Sequence, residues 1–144
     1  MKRKFVFILS TIFVMILLFQ IFQNISLAAQ PITASIQNNN TSGTFTSFNI
    51  SSSGTASVYV RYNGYPNITT GAEISITIKK NTFLWFYSTV VDETYSVEAT
   101  SYFNTYTYDI TESGSGKYKC NVTYTISGSG GADDVIPFED TASY

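Results

Sequence analysis

Apolar and polar residues alternate strictly over two stretches of the chain. In residues 73–80, Ile74, Ile76 and Ile78 share one face, while Glu73, Ser75, Thr77 and Lys79 share the other. In residues 117–126, Tyr118, Cys120, Val122, Tyr124 and Ile126 face one way, and Lys117, Lys119, Asn121, Thr123 and Thr125 the other. Period-two alternation places one face on a core and the other in water, the habit of strands in antiparallel sheets. Residues 57–62 put Val58, Val60 and Tyr62 on one face, and residues 105–110 do the same with Tyr106, Tyr108 and Ile110. Residues 94–103 alternate through Tyr95, Val97 and Ala99. Residues 83–90, FLWFYSTV, are apolar on both faces, which predicts a central strand. Residues 43–50 add a strand and residues 32–37 a weaker one. Runs rich in Gly, Asn, Ser and Asp separate these segments and predict turns. No segment beyond the N-terminal run sustains a helical period, and that part of the chain is rich in Thr, Tyr, Val, Ile and Phe, which suits a pleated surface. Seven or eight short strands with frequent turns predict an all-β antiparallel sandwich or barrel.

The N-terminus carries a different pattern. Lys2, Arg3 and Lys4 precede an apolar run over residues 5–19 that only Ser10 and Thr11 interrupt, and Ser26-Leu27-Ala28 ends it. A basic start, an apolar helix and a small-residue exit predict a secretory signal peptide, cut after Ala28 or Ala29. An uncleaved membrane anchor is the rival, because residues 5–22 are barely long enough to span a bilayer. The expected division is a signal peptide at 1–29, a flexible segment at 30–43, a sandwich domain at 44–131 and an acidic tail at 132–144.

Charge and cysteine content narrow the partners. Beyond the leader, five basic residues face ten acidic ones, a net charge of −5. That argues against nucleic acid, which requires clustered Lys and Arg, and against adsorption to an anionic membrane once the leader is removed. Small secreted domains often carry disulfides. Here Cys120 is the only cysteine, so no internal bridge forms, and its position on the inward face predicts a buried thiol.

The segment GKYKCNV, residues 116–122, resembles the late strand of immunoglobulin-like domains, where Gly-x-Tyr-x-Cys is common. The resemblance implies a single immunoglobulin-like sandwich without its disulfide. Tyr118 would form the tyrosine corner, its hydroxyl bonded to backbone a few residues upstream near residues 112–115. Trp85, on the predicted central strand, would pack in the core beside it. Residues 70–131, with ISITIKKNTFLWF and GKYKCNVTYTISGSGG, are also similar to small secreted proteins of low-GC Gram-positive bacteria. That likeness implies export and little about activity.

Candidate chemistry is sparse. The chain has no histidine, which removes the commonest general base and the usual zinc and triad sites. Glu73, Glu98 and Asp109 lie on separate predicted strands and Asp92-Glu93 in a predicted turn, so each reads as a solvated residue rather than half of a carboxylate pair. Asp133, Asp134, Glu139 and Asp140 gather near the C-terminus, as a solvated tail or, less simply, a calcium site. Tyr59, Tyr65, Tyr87 and Tyr102 fall on outward faces or in loops and are the candidate ligand contacts, since planar rings on a sheet can stack sugars. Trp85, Tyr118 and Cys120 are the structural residues. The expected function is a secreted or surface-associated non-enzymatic protein with a binding or structural role and no cofactor, its partner a cell-surface glycan or protein. A carbohydrate-binding module and a pore-forming protein are the alternatives.

Overall fold

The computed structural model describes residues 38–144. The expected signal peptide, the weak strand at 32–37 and most of the segment at 30–43 lie outside the described residues. The described chain is all β: β1 (Thr41–Ile50), β2 (Thr55–Gly64), β3 (Thr69–Phe83), β4 (Phe86–Val97), β5 (Ser101–Asp109), β6 (Lys117–Gly128) and β7 (Asp134–Ser143), with one 3-10 turn at Thr111–Ser113. Two antiparallel sheets form, ordered β1-β2-β5 and β4-β3-β6-β7. Three hairpins, β1-β2, β3-β4 and β6-β7, are joined by segments that cross from one sheet to the other.

The alternating stretches build the core as their pattern predicts. Val58, Val60 and Tyr62 of β2 meet Ile74, Ile76 and Ile78 of β3 and Tyr118, Cys120, Val122, Tyr124 and Ile126 of β6, all fully buried in one cluster. Each aliphatic side chain so buried stabilises the fold by about 1.5–3 kcal/mol. β3 and β6 lie side by side, with Ile78 opposite Cys120 and Ile74 opposite Tyr124. A buried bond joins the sheets where the Thr46 hydroxyl meets the Tyr124 hydroxyl at 2.6 Å. Among the described residues no buried side-chain nitrogen or oxygen lacks a partner, as buried polar groups require.

Two devices close the open sides of the sandwich. On one side, β7 carries Asp134 to the start of β1. Its Oδ1 accepts the Asn39 N–H at 2.8 Å, and its Oδ2 accepts those of Asn40 and Thr41 at 2.9 and 2.8 Å. The Asn40 side chain returns bonds to the Ala132 and Ile126 carbonyls. The chain is tight here: a Cβ on Gly130 would collide with the Asn39 carbonyl. On the other side, between β4 and β5, a group of tyrosines fills the gap. Tyr95 stacks on Tyr106 at 3.9 Å, Tyr95 and Tyr108 share a hydroxyl bond of 3.0 Å, and Tyr102 and Tyr106 share one of 3.1 Å.

Three sequence expectations are corrected. The predicted acidic tail at 132–144 is strand β7, and Ile136 and Phe138 pack against the core while Val135 and Glu139 face water. Pro137 is accommodated because β7 is an edge strand, where prolines in sheets are found. The flexible segment expected at 30–43 ends in structure, since Asn40 and Thr41 are buried and β1 begins at Thr41. The central strand expected at 83–90 is instead the tip of the β3-β4 hairpin and the start of β4, an edge strand. β3, not this segment, is central.

Candidate functional site

Trp85 departs furthest from expectation. The sequence pattern puts it in the core beside Tyr118, yet it is 74% exposed at the end of the β3-β4 hairpin. The place beside Tyr118 is taken by Tyr144, whose ring stacks at 6.1 Å, and by Lys80, whose Nζ lies 6.0 Å from the ring centre. The other two residues expected to be structural are both buried. The Tyr118 hydroxyl donates to the Gly114 carbonyl, inside the stretch named for a tyrosine corner. Cys120 is a free thiol, and burial pushes its pKa up to about 12, so it carries no thiolate near neutral pH.

Four consecutive large apolar residues, Phe83, Leu84, Trp85 and Phe86, form the hairpin tip and are each 58–74% exposed. β6 pairs with β3 only as far as Lys80, so from Asn81 onward β3 and β4 pair with each other alone and the hairpin projects past the sheet. Phe83 pairs with Phe86 across a two-residue turn, and Leu84, the first turn residue, has φ 51°. Hairpin turns normally give such a position to Gly or Asn. A branched residue there costs roughly 1–2 kcal/mol. The turn is held by side chains from its own strands: Asn81 Nδ2 donates to the Leu84 carbonyl at 2.7 Å, and Thr82 Oγ1 to the Phe86 carbonyl at 3.2 Å.

Lysines surround the base of this hairpin. Lys79 and Lys119 stand directly opposite each other on β3 and β6, and Lys117 is two residues along β6. Like charges placed so close repel. Lys119 is relieved by Glu139, 2.8 Å away, and lies over the Tyr87 ring at 5.3 Å. Lys80, on the other face, donates to the Ser113 carbonyl. Together these are four of the five basic residues beyond the leader.

A second aromatic surface lies on the outer face of the three-stranded sheet. Arg61 sits across from Phe45 on β1 and from Phe103 on β5, which are 58% and 72% exposed. Tyr59 stands edge-on to Phe45 at 5.9 Å. The Arg61 guanidinium is turned to Asn63 Oδ1, 3.3 Å from Nε and Nη2.

The four tyrosines expected as ligand contacts do not form one platform. Tyr59 lies on that outer face, Tyr65 in the turn before β3, and Tyr87 beside Lys119 near the hairpin tip. Tyr102 points inward, its ring 6.3 Å from that of Tyr62. The expected outward face is wrong because alternation does not carry from Tyr95 through residues 98–100, where the chain turns and the parity resets. The same reset puts Phe103 outside, a candidate contact that sequence reasoning missed.

The carboxylates are occupied or apart. Asp134 holds the backbone of residues 39–41, and Asp109 accepts the Thr111 N–H and hydroxyl at 3.0 and 2.7 Å, which lowers its pKa. Among the described residues no three His, Cys, Asp or Glu side chains converge as metal ligands would. No protein-family model, no curated protein and no solved structure matches the chain.

Proposed function

We propose that the chain is exported and that residues 38–144 form a non-enzymatic binding module of the immunoglobulin-like kind. The strand order supports the fold reading. β2, β5 and β1 correspond to one sheet of such a domain, and β3, β6 and β7 to the other, with β4 joined to the second sheet as in its seven-strand variants. The tyrosine-corner bond from Tyr118 to Gly114 falls on the strand this order requires. The basic-apolar-small leader supports export.

The observation that carries the binding reading is the distribution of large apolar side chains. Most of the strongly exposed ones fall at two places, the hairpin tip at residues 83–86 and the outer pair Phe45 and Phe103. Contiguous exposed apolar residues mark interaction surfaces. The test is retention of the secreted protein on isolated bacterial cell envelopes. Retention is expected to drop in Leu84→Ser/Phe86→Ser or in Phe45→Ala/Phe103→Ala. Undiminished retention in both would sink the reading.

A carbohydrate-binding role is a second reading, favoured by Phe45, Tyr59 and Phe103 around Arg61, rings and a polar group on one flat face. It predicts capture on an insoluble polysaccharide that Phe103→Ala abolishes and the tip variant does not. Pore formation is disfavoured for a specific reason. β3 and β4 are long enough to span a bilayer, but Ile74, Ile76 and Ile78 of β3 are the middle of the core. Inserting that hairpin dismantles the domain.

A further inference from the structure

We propose that the β3-β4 hairpin tip is a membrane-docking element that places Phe83, Leu84, Trp85 and Phe86 into the interface of an anionic bilayer. This deepens the reading of the domain as a binding module, on which it rests, by naming what one of its two exposed surfaces binds.

Three observations favour a bilayer over a protein partner. The first is size. At 58–74% exposure the four side chains present roughly 500 Å², against about 800 Å² per partner in a stable protein interface. The tip is convex and one hairpin wide, so it gains most from a medium that closes around it. The second is residue type. Tryptophan and other aromatic rings are favoured at the level of lipid headgroups, and shallow elements bury apolar side chains about 5–10 Å into that region. The third is charge. Lys80 lies three residues before Phe83 at the foot of the turn, about 10 Å along the strand. With the tip inserted, the Lys79 and Lys117 ammonium groups reach headgroup level on their flexible stems, while Lys80 stays on the Ser113 carbonyl and Lys119 on Glu139. Each lysine near an anionic surface adds attraction.

The net charge of −5 argues against such a surface when the sequence is read alone. Net charge is the wrong measure here because the basic residues are not spread evenly. Glu139 offsets Lys119, and Glu112 stands at the same end of the sandwich. By strand register Asp140 on β7 and Asp92 on β4 lie one and two residues farther from the tip than Lys119 and Lys79, so the lysines stand between the tip and these carboxylates, while Asp133 and Asp134 are at the opposite end of β7.

Trp85 is the only tryptophan in the whole sequence, so its fluorescence reports the tip whether or not the leader remains. The chain is recovered from a secreting host and titrated with vesicles of phosphatidylcholine, alone or with phosphatidylglycerol. The expected result is a blue shift of Trp85 emission and quenching by lipids brominated near the headgroup, stronger with phosphatidylglycerol. Leu84→Ser/Phe86→Ser should weaken partitioning roughly tenfold or more, and Lys79→Gln/Lys117→Gln roughly tenfold on anionic vesicles only. Neither variant alters the buried core, and matching urea midpoints will show that both remain folded. Emission unchanged by either vesicle overturns the proposal. So does release of trapped dye at the lipid concentrations that produce the shift, which would mean a pore. Concentration-dependent association without lipid overturns it too, assigning the tip to a second copy of the chain. If vesicles fail while envelope retention persists, only this inference falls. If both fail, the binding reading falls with it.

Discussion

Replacing Asp134 removes the acceptor that ties β7 to the start of β1. Its carboxylate receives three backbone N–H groups at 2.8–2.9 Å, and the residues bearing two of them, Asn40 and Thr41, are buried. In Asp134→Ala these two buried donors lose their acceptor, at about 1–3 kcal/mol each. The third, on the half-buried Asn39, is hydrated at smaller cost. The variant is therefore expected to lose about 3–5 kcal/mol, a large fraction of the roughly 5–15 kcal/mol that holds a domain together. Asp134→Asn keeps one oxygen, which can serve Asn40 and Thr41, and turns an amide donor toward Asn39. Its expected loss is about 1–2 kcal/mol. Asp133→Ala, next along the chain and exposed, should change stability by less than about 0.5 kcal/mol. Urea unfolding followed by far-ultraviolet circular dichroism measures all three, and hydrogen exchange at the Asn40 and Thr41 amides locates the effect. If Asp134→Ala matches Asp133→Ala, the carboxylate does not close the sandwich and the account of this edge is wrong.

Cys120→Val should be nearly neutral, whereas Cys120→Ser should lose roughly 1–3 kcal/mol by burying a hydroxyl, and a thiol reagent should label the wild type only after denaturation. Burial raises the Tyr108 pKa, and it pushes that of Tyr106 from 10.0 to about 12. The folded chain thus holds protons that the unfolded chain releases. Stability should be full below about pH 10 and fall as pH rises from there toward 12, read as a decreasing urea midpoint; a flat profile would show the tyrosines already solvated. Leu84→Gly relieves the left-handed turn and should raise stability by roughly 1 kcal/mol in urea melts while weakening vesicle binding.

The body of the fold was legible because β3 and β6 have neighbours on both sides and water on one face, which enforces strict alternation. The edges were not. β7 hides its pattern behind Pro137 and its acidic residues, devices that also keep an edge strand from pairing with another chain. Its signal was still present in the spacing of Ile136 and Phe138. The segment FLWF misled for a deeper reason. Apolar residues on both faces imply burial only when folding alone selects them, and here four of them stand in water. Of the expected contacts, Tyr59 lies on the outer face its pattern indicates, while Tyr102 turns inward after a turn that resets parity and Phe103 takes its place outside.

The exposure of Trp85 is the point on which the hairpin-tip surface rests, and as the sole tryptophan it can be measured directly. Acrylamide quenching and emission wavelength are recorded for the native protein and again in urea. An exposed hairpin tip predicts water-exposed emission and near-free quenching in both states, with little change on unfolding. Blue-shifted, protected emission that moves to the exposed position only in urea would return Trp85 to the core beside Tyr118 and remove the hairpin-tip surface, leaving only Phe45 and Phe103 to carry a binding role.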